Sequence, residues 1–309
     1  MRPKEYRIKE LLRKKGLDGA IVSSPENFHY VTGFGGHQHT VSRQPGFTLA
    51  VMRADDKVPT HLTTMDFEAA TFRIKAAGLN FVVDPYDTWV GLKTWDEIAH
   101  GAVVPDKTAM ESSMDKLVQF MKACDLANKK VGVELDYFPV PYYKSLTEKF
   151  PEAEFVDISD LFVYARSVKQ PDEIEMFRNL CRIADHGFTE VSKIAKIGVS
   201  ERELAQCFRE DVIKSGFCAP SAWSMFSTGP SSARLTLPGD GVVKDGDVVK
   251  FDAGVNAEFD FYTTDTSRAW IIGNGDPVLL KLKDRLYEGQ RRMIAAAKPG
   301  LPINELYHT

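Results

Sequence analysis

The chain has 309 residues, more than a single hydrophobic core usually organises, so the sequence predicts two domains that each bury their own core. At 43% hydrophobic and 27% charged residues its composition is that of an ordinary globular protein. Its 39 basic and 43 acidic residues nearly balance and no long run of one sign occurs; this excludes the footprint of a nucleic-acid or acidic-membrane binder and leaves small molecules or short peptides as partners.

The first stretch, MRPKEYRIKELLRKK, is charged and lacks the apolar run of a secretory signal, and no window approaches a membrane-spanning length of apolar residues. Cys124, Cys181, Cys207 and Cys218 show no CxxC spacing and sit mostly in apolar, helical contexts, so they read as reduced core thiols. Both features place the protein in the cytoplasm.

In chain order, Ile8, Leu11 and Leu12 recur at helical spacing over residues 4 to 15, with Arg13, Lys14 and Lys15 at the negative end of the dipole and Gly16 as stop. A buried strand is expected at Gly19-Ala20-Ile21-Val22, a turn at Ser24-Pro25 and an extended segment from Tyr30 to Phe34. Strands at Phe47 to Met52 and Asn80 to Val83 enclose a helix around Phe67 to Ala77. The alternation continues with helix Met114 to Leu126, strand Lys130 to Glu134, helix Val140 to Phe150 and strand Glu154 to Asp157, which argues for an α/β domain with a largely buried sheet. Ser159 to Tyr164 reads as a link, and the boundary is placed there: residues 1–159 and residues 160–309.

After Arg166 the sequence becomes a long amphipathic helix, with Pro171, Asp172 and Glu173 suited to its first turn. The next helix carries a capping box, Ser200 with Glu203, an apolar stripe Leu204, Phe208 and Val212, and Gly216 as terminator. A loop-rich segment leads to DGDVVKFDAGVNAEFDFYTTDTSRAW: a turn at Asp245-Gly246, a β-rich run ending at Asp252, a break, and a second run from Phe259 to Trp270. A hairpin with carboxylates on both arms is either a surface feature or the start of a hard-cation site, because divalent ions need several anionic oxygens in fixed positions. Asp276-Pro277 opens a last long helix that closes at Lys298-Pro299-Gly300, and LPINELYHT begins another.

Several of these pieces resemble one known family. LDGAIVSSPENFHYVTGF looks like the entry segment of a creatinase-type N-terminal domain. Arg166, Lys169, Glu173 and Ile174 carry the R-x-x-K-x-x-x-E-I pattern that opens the pita-bread catalytic domain, and GDVVKFDAG followed by YTTDTSR is similar to the two metal-binding aspartate segments of the creatinase, prolidase and aminopeptidase P family. The resemblance implies a creatinase-like α/β domain followed by a pita-bread α+β domain that is incomplete at its C-terminal end. It implies a metal-dependent hydrolase similar to Xaa-Pro dipeptidases or aminopeptidases, a homodimer acting on a small molecule or short peptide. Asp252 and Asp265 would be ligands of two divalent ions, Mn, Fe, Co or Zn, with Asp265 bridging and with Tyr262, Ser267 and Arg268 around it. Such ions lower the pKa of a water and polarise the scissile carbonyl.

The chain departs from the family pattern in three ways. Asp252 and Asp265 stand 13 positions apart, a longer interval than usual, with Asp260 as a spare acid at an odd offset and so on the opposite face. The segment Ser231 to Pro238, where family peptidases carry a histidine, has none; this opens the alternative of a lyase or C–N hydrolase acting on a small zwitterion such as dimethylsulfoniopropionate or creatine. The family's remaining ligands, one histidine and two glutamates, lie downstream of the second aspartate, and 44 residues follow Asp265 here. The expectation is a front part of a longer enzyme; with 309 residues as the complete product, the expectation becomes an inactive pita-bread-like binding module.

Other candidates read as structural. His308 lies too near a helix start to be the missing ligand, His37 and His39 in GGHQHT fit a solvated loop, His186 fits a polar helix face, and Gly33 to Gly36 reads as a turn. No G-x-S-x-G, P-loop or H-E-x-x-H occurs.

Overall fold

The structure is a computed structural model that describes residues 3–88, 94–101, 108–216, 218–257 and 260–308. The chain falls into two compact units, Met1–Gln170 and Pro171–Thr309.

The first unit runs α1 (Pro3–Lys14), β1 (Gly19–Val22), α2 (Pro25–Thr32), α3 (His37–Val41), β2 (Leu49–Arg53), β3 (Thr60–Thr63), α4 (Ala69–Ala76), β4 (Phe81–Val83), α5 (Trp95–Ala99), α6 (Ala109–Ala123), β5 (Lys130–Val133), α7 (Val140–Lys149), β6 (Glu154–Asp157) and α8 (Ser159–Ser167). Its strands form one mixed sheet in the order β4-β3-β2-β1-β5-β6. The pleat sorts neighbours to opposite faces: Ala20 and Val22 join Ile8, Leu12, Phe28, Phe72 and Phe162 in one core, whereas Ile21 joins Leu117, Phe120, Val131 and Tyr142 in the other. The sheet is buried on both sides, as expected of an α/β layer.

Three local expectations are corrected. The segment Tyr30 to Phe34 is not extended: α2 occupies Pro25–Thr32, because Ser24 caps it by accepting from Asn27 N at 3.3 Å, Pro25 pre-sets the first turn, and Gly33 closes it at φ 78°. Ser159 to Tyr164 is not a link but the start of α8, which sinks Leu161, Phe162 and Ala165 into the first core. His37 and His39 lie on the short helix α3, and His39 is buried rather than solvated, edge-on to Phe28 with its Nε2 2.8 Å from Ser23 O. Beneath α2, the buried carboxylate of Glu134 accepts from the backbone of Ser23 and Ser24 and from Asn27, whose side-chain oxygen accepts from Arg166.

The second unit runs α9 (Pro171–Ile194), α10 (Glu201–Lys214), β7 (Cys218–Pro220), β8 (Met225–Thr228), β9 (Val248–Ala253), β10 (Val255–Ala257), β11 (Thr266–Ile271), α11 (Pro277–Ala296) and α12 (Ile303–Tyr307). The capping box of α10 forms as expected: Ser200 Oγ accepts from Glu203 N at 3.2 Å, and the Glu203 carboxylate accepts from Ser200 N at 2.8 Å. An antiparallel sheet, β11-β9-β8, lays one face against α9 and α10. Phe188, Phe208, Phe226 and Phe251 fill that contact, with successive ring centroids 5.1 to 5.5 Å apart. The four cysteines form no disulfide; Cys124 and Cys218 are buried as expected, but Cys181 is exposed on α9 and Cys207 only half-buried, so the reading of all four as core thiols is corrected.

Candidate metal centre

Strand β9 is half-buried by alternation: Val249, Phe251 and Ala253 point into the aromatic core, and Val248, Lys250 and Asp252 take the other face. In β11, Ser267 stands opposite Asp252 and Arg268 opposite Phe251. On the other side, β8 places Met225 beside Asp252.

Asp265 precedes β11, but the ladder continues through it. Thr264 N donates to Val255 O at 3.0 Å, Asn256 bridges to Thr263, and Ala257 N donates to Tyr262 O at 2.8 Å. Gly254 therefore faces Asp265, and the period of two puts Asp252, Asp265 and Ser267 on the same face of the sheet, opposite the phenylalanines. The absence of a side chain at Gly254 is required, since a Cβ there would lie 2.0 Å from Thr264 O and 2.9 Å from the Trp223 ring. The pairing reaches Ala257 and Tyr262, and the spare acid Asp260 lies between them in the chain; Phe259, the expected start of the second arm, lies outside the described residues.

Asp252 is half-buried and Asp265 exposed. Among the described residues neither carboxylate has a side-chain hydrogen bond or ion pair, unlike Asp185 and Asp247 in the same unit. Acids left without cationic or donor partners on one sheet face have the donor chemistry of a hard divalent cation site. The described residues contain no group of three or more His, Cys, Asp or Glu placed to hold a metal, so the two aspartates supply part of a ligand set.

The residues expected around the second aspartate separate. Ser267 shares the carboxylate face, whereas Arg268 points to the aromatic side, where its Nη2 pairs with Asp185 at 2.7 Å and its guanidinium lies 5.6 Å from the Phe188 ring centroid. Tyr262 lies at the far end of the hairpin; its hydroxyl donates to Glu173 Oε1 at 2.5 Å and its ring meets Phe177 edge-on. His186 is exposed as expected and bonds Asp211 at 2.8 Å, a contact that raises its pKa. His308 follows α12, its ring against Tyr307.

One residue that organises the site has no special mark in the sequence. Glu201, in the first turn of α10, is buried and accepts from Thr228 N at 2.8 Å, Ser231 Oγ at 2.6 Å and Gly239 N at 2.8 Å. It thereby holds the Ser231 to Pro238 segment, which contains no histidine. An acid in a first helical turn is ordinarily a dipole partner, which masks this second role. Lys250, on the carboxylate face, donates to Arg234 O at 2.9 Å and fastens the same segment to that side of the sheet. Ser227, opposite Lys250, has a buried hydroxyl with no hydrogen-bond partner among the described residues.

Residues 6–168 match the family described as Creatinase/Prolidase N-terminal domain, and residues 175–309 match Metallopeptidase family M24. The chain belongs to the creatinase/prolidase family of M24 metallopeptidases. Among the relatives of this family member, the uncharacterized peptidase YqhT of Bacillus subtilis is 24% identical over 97% of the chain and 73% of its own length. The Xaa-Pro dipeptidase of Pyrococcus furiosus is 29% identical over 64% of this chain and 58% of its own length. The solved Xaa-Pro dipeptidase from Bacillus anthracis superposes with a TM-score of 0.76 at 21% identity, covering 98% of this chain and 74% of that one, which supports the creatinase-plus-pita-bread fold.

Proposed function

We propose that this metallohydrolase acts as an Xaa-Pro dipeptidase or aminopeptidase, with Asp252 and Asp265 forming one edge of a site for two divalent ions drawn from Mn, Fe, Co or Zn. The observation that supports the reading is the shared sheet face of two carboxylates that have no side-chain partner among the described residues, in a chain whose family is metallopeptidase. Relatives described as Xaa-Pro dipeptidases give the substrate class. Bound divalent ions supply an ionised water near neutral pH and polarise a scissile carbonyl.

The chain's own residues provide the setting. Asp252 is held in a central strand with a rigid aromatic layer behind it. Asp265 is positioned by the continuous ladder and by the Tyr262–Glu173 hydrogen bond farther along the same arm. A homodimer in the cytoplasm completes the reading; no helix among the described residues is long and apolar enough to cross a membrane.

Equilibrium dialysis against Mn²⁺, followed by assay on Ala-Pro and Gly-Pro, tests it. Metal uptake that falls at least tenfold in Asp252→Asn and Asp265→Asn, with Xaa-Pro hydrolysis by the parent chain, is the expected result. Uptake unchanged by both substitutions sinks it. The absence of an imidazole from Ser231 to Pro238 favours a second reading, a lyase or C–N hydrolase on a small zwitterion. Turnover of dimethylsulfoniopropionate or creatine with Ala-Pro left intact selects that alternative.

A further inference from the structure

The loop held by Glu201 borders a cavity of about 710 Å³, a size suited to a small ligand. Its charges are unevenly satisfied. Each acid on its wall is already engaged: Glu201 accepts three hydrogen bonds, Asp240 pairs with Arg202 at 2.9 Å, and Asp247 accepts from Thr228 Oγ1 at 3.1 Å and Lys244 N at 2.8 Å. The two cations on the wall, Arg234 and Lys244, are exposed and have no side-chain hydrogen bond or ion pair among the described residues. Beside Arg234, Leu235 and Leu237 are 81% and 61% exposed, unusual for leucines in an ordered loop. The cavity therefore presents unspent positive charge next to bare aliphatic surface.

We infer that this cavity binds the carboxylate of an apolar small acid, with Arg234 and Lys244 meeting the anion and Leu235 and Leu237 covering its hydrocarbon part. A guanidinium takes a planar carboxylate in bidentate fashion, and an ammonium adds a point charge. Two sources offer this chemistry: the C-terminal carboxylate of a short peptide and a free aliphatic acid. The peptide source deepens the hydrolase reading and rests on it, because the Lys250–Arg234 bond brings this loop to the carboxylate face that carries Asp252. Arg234 would then recognise the end of the substrate in the segment where family peptidases place a histidine, and would favour free dipeptides over amidated ones.

The test is a titration of the metal-free chain, by calorimetry, with Leu-Pro, Leu-Pro-amide and 4-methylpentanoate. Expected is binding of the two carboxylates at least tenfold tighter than the amide, reduced at least tenfold in Arg234→Gln and in part in Lys244→Gln, with only partial recovery in Arg234→Lys, which keeps the charge and loses the bidentate fork. Both positions are exposed, and a thermal melt confirms that the variants fold. Leu-Pro bound more tightly than 4-methylpentanoate identifies the peptide source; equal affinities identify the free acid. Equal binding of the amide, no binding of either carboxylate, or affinity unchanged in both glutamine variants overturns the proposal. Because no metal is present in the titration, carboxylate binding without Xaa-Pro hydrolysis in the loaded protein would reject the Xaa-Pro reading and leave this site standing.

Discussion

Tyr262 donates its phenolic hydrogen to the buried carboxylate of Glu173 at 2.5 Å, joining the far end of the hairpin to the first turn of the long helix α9. Two separately recognised sequence segments thus meet at one hydrogen bond. Tyr262→Phe removes a donor from an acid that has little access to water, and the expected cost is roughly 1–3 kcal/mol. Urea unfolding of the parent and variant measures it; metal uptake should weaken as well, since Asp265 lies on the same arm.

Glu201→Ala leaves Thr228 N–H, Gly239 N–H and the Ser231 hydroxyl without their common acceptor. A loss of roughly 2–4 kcal/mol is expected for several stranded groups together. Hydrogen exchange across residues 228–241 should rise, while exchange in the first unit stays as it was.

Gly254→Ala forces a methyl group to within 2.0 Å of Thr264 O, so the two arms must part where Asp265 faces this position. About 1–3 kcal/mol of destabilisation is expected, as for other overpacking changes. Divalent-ion affinity, followed by dialysis, should fall even though no carboxylate has been altered.

His39 is kept neutral by burial, which brings its pKa down from 6.5 to about 4, against the raising influence of Ser23 O and Glu26. The unfolded chain takes up the proton first, so this contribution to stability is complete above about pH 6.5 and declines as the pH falls toward 4. Roughly 3 kcal/mol is expected to go by the lower limit. Urea midpoints between pH 7 and 4 should fall less steeply in His39→Leu than in the parent.

Much of the architecture could be read from the chain because periodicity and caps are local. The strand at Gly19 to Val22, the capping box at Ser200 and Glu203 and the hairpin at Val248 to Ile271 all follow from residue order. Failures occurred where a side chain had two possible jobs. Ser24-Pro25 serves a turn or a helix start equally well, and the capping contact to Asn27 settles it only in three dimensions. Thr60 to Thr63 pairs as a strand through its neighbours, although its four residues alone carry no strand pattern. At the site, the two aspartates were marked by their segments, and the ladder brings them to one face. The divergence of Ser267 and Arg268 depends on register, and the role of Glu201 depends on a contact 38 residues along the chain. No local pattern reports either.

The aromatic layer on β9 has a consequence beyond packing. A strand can slide past its neighbours by one residue while regaining most of its backbone hydrogen bonds, and such a slip exchanges its two faces. Here it would thrust Phe251 into water and drive the charge of Asp252 among the rings of Phe188, Phe208 and Phe226. The oily side therefore acts as a ratchet for the charged side, fixing by exclusion the level along the strand at which a carboxylate can stand.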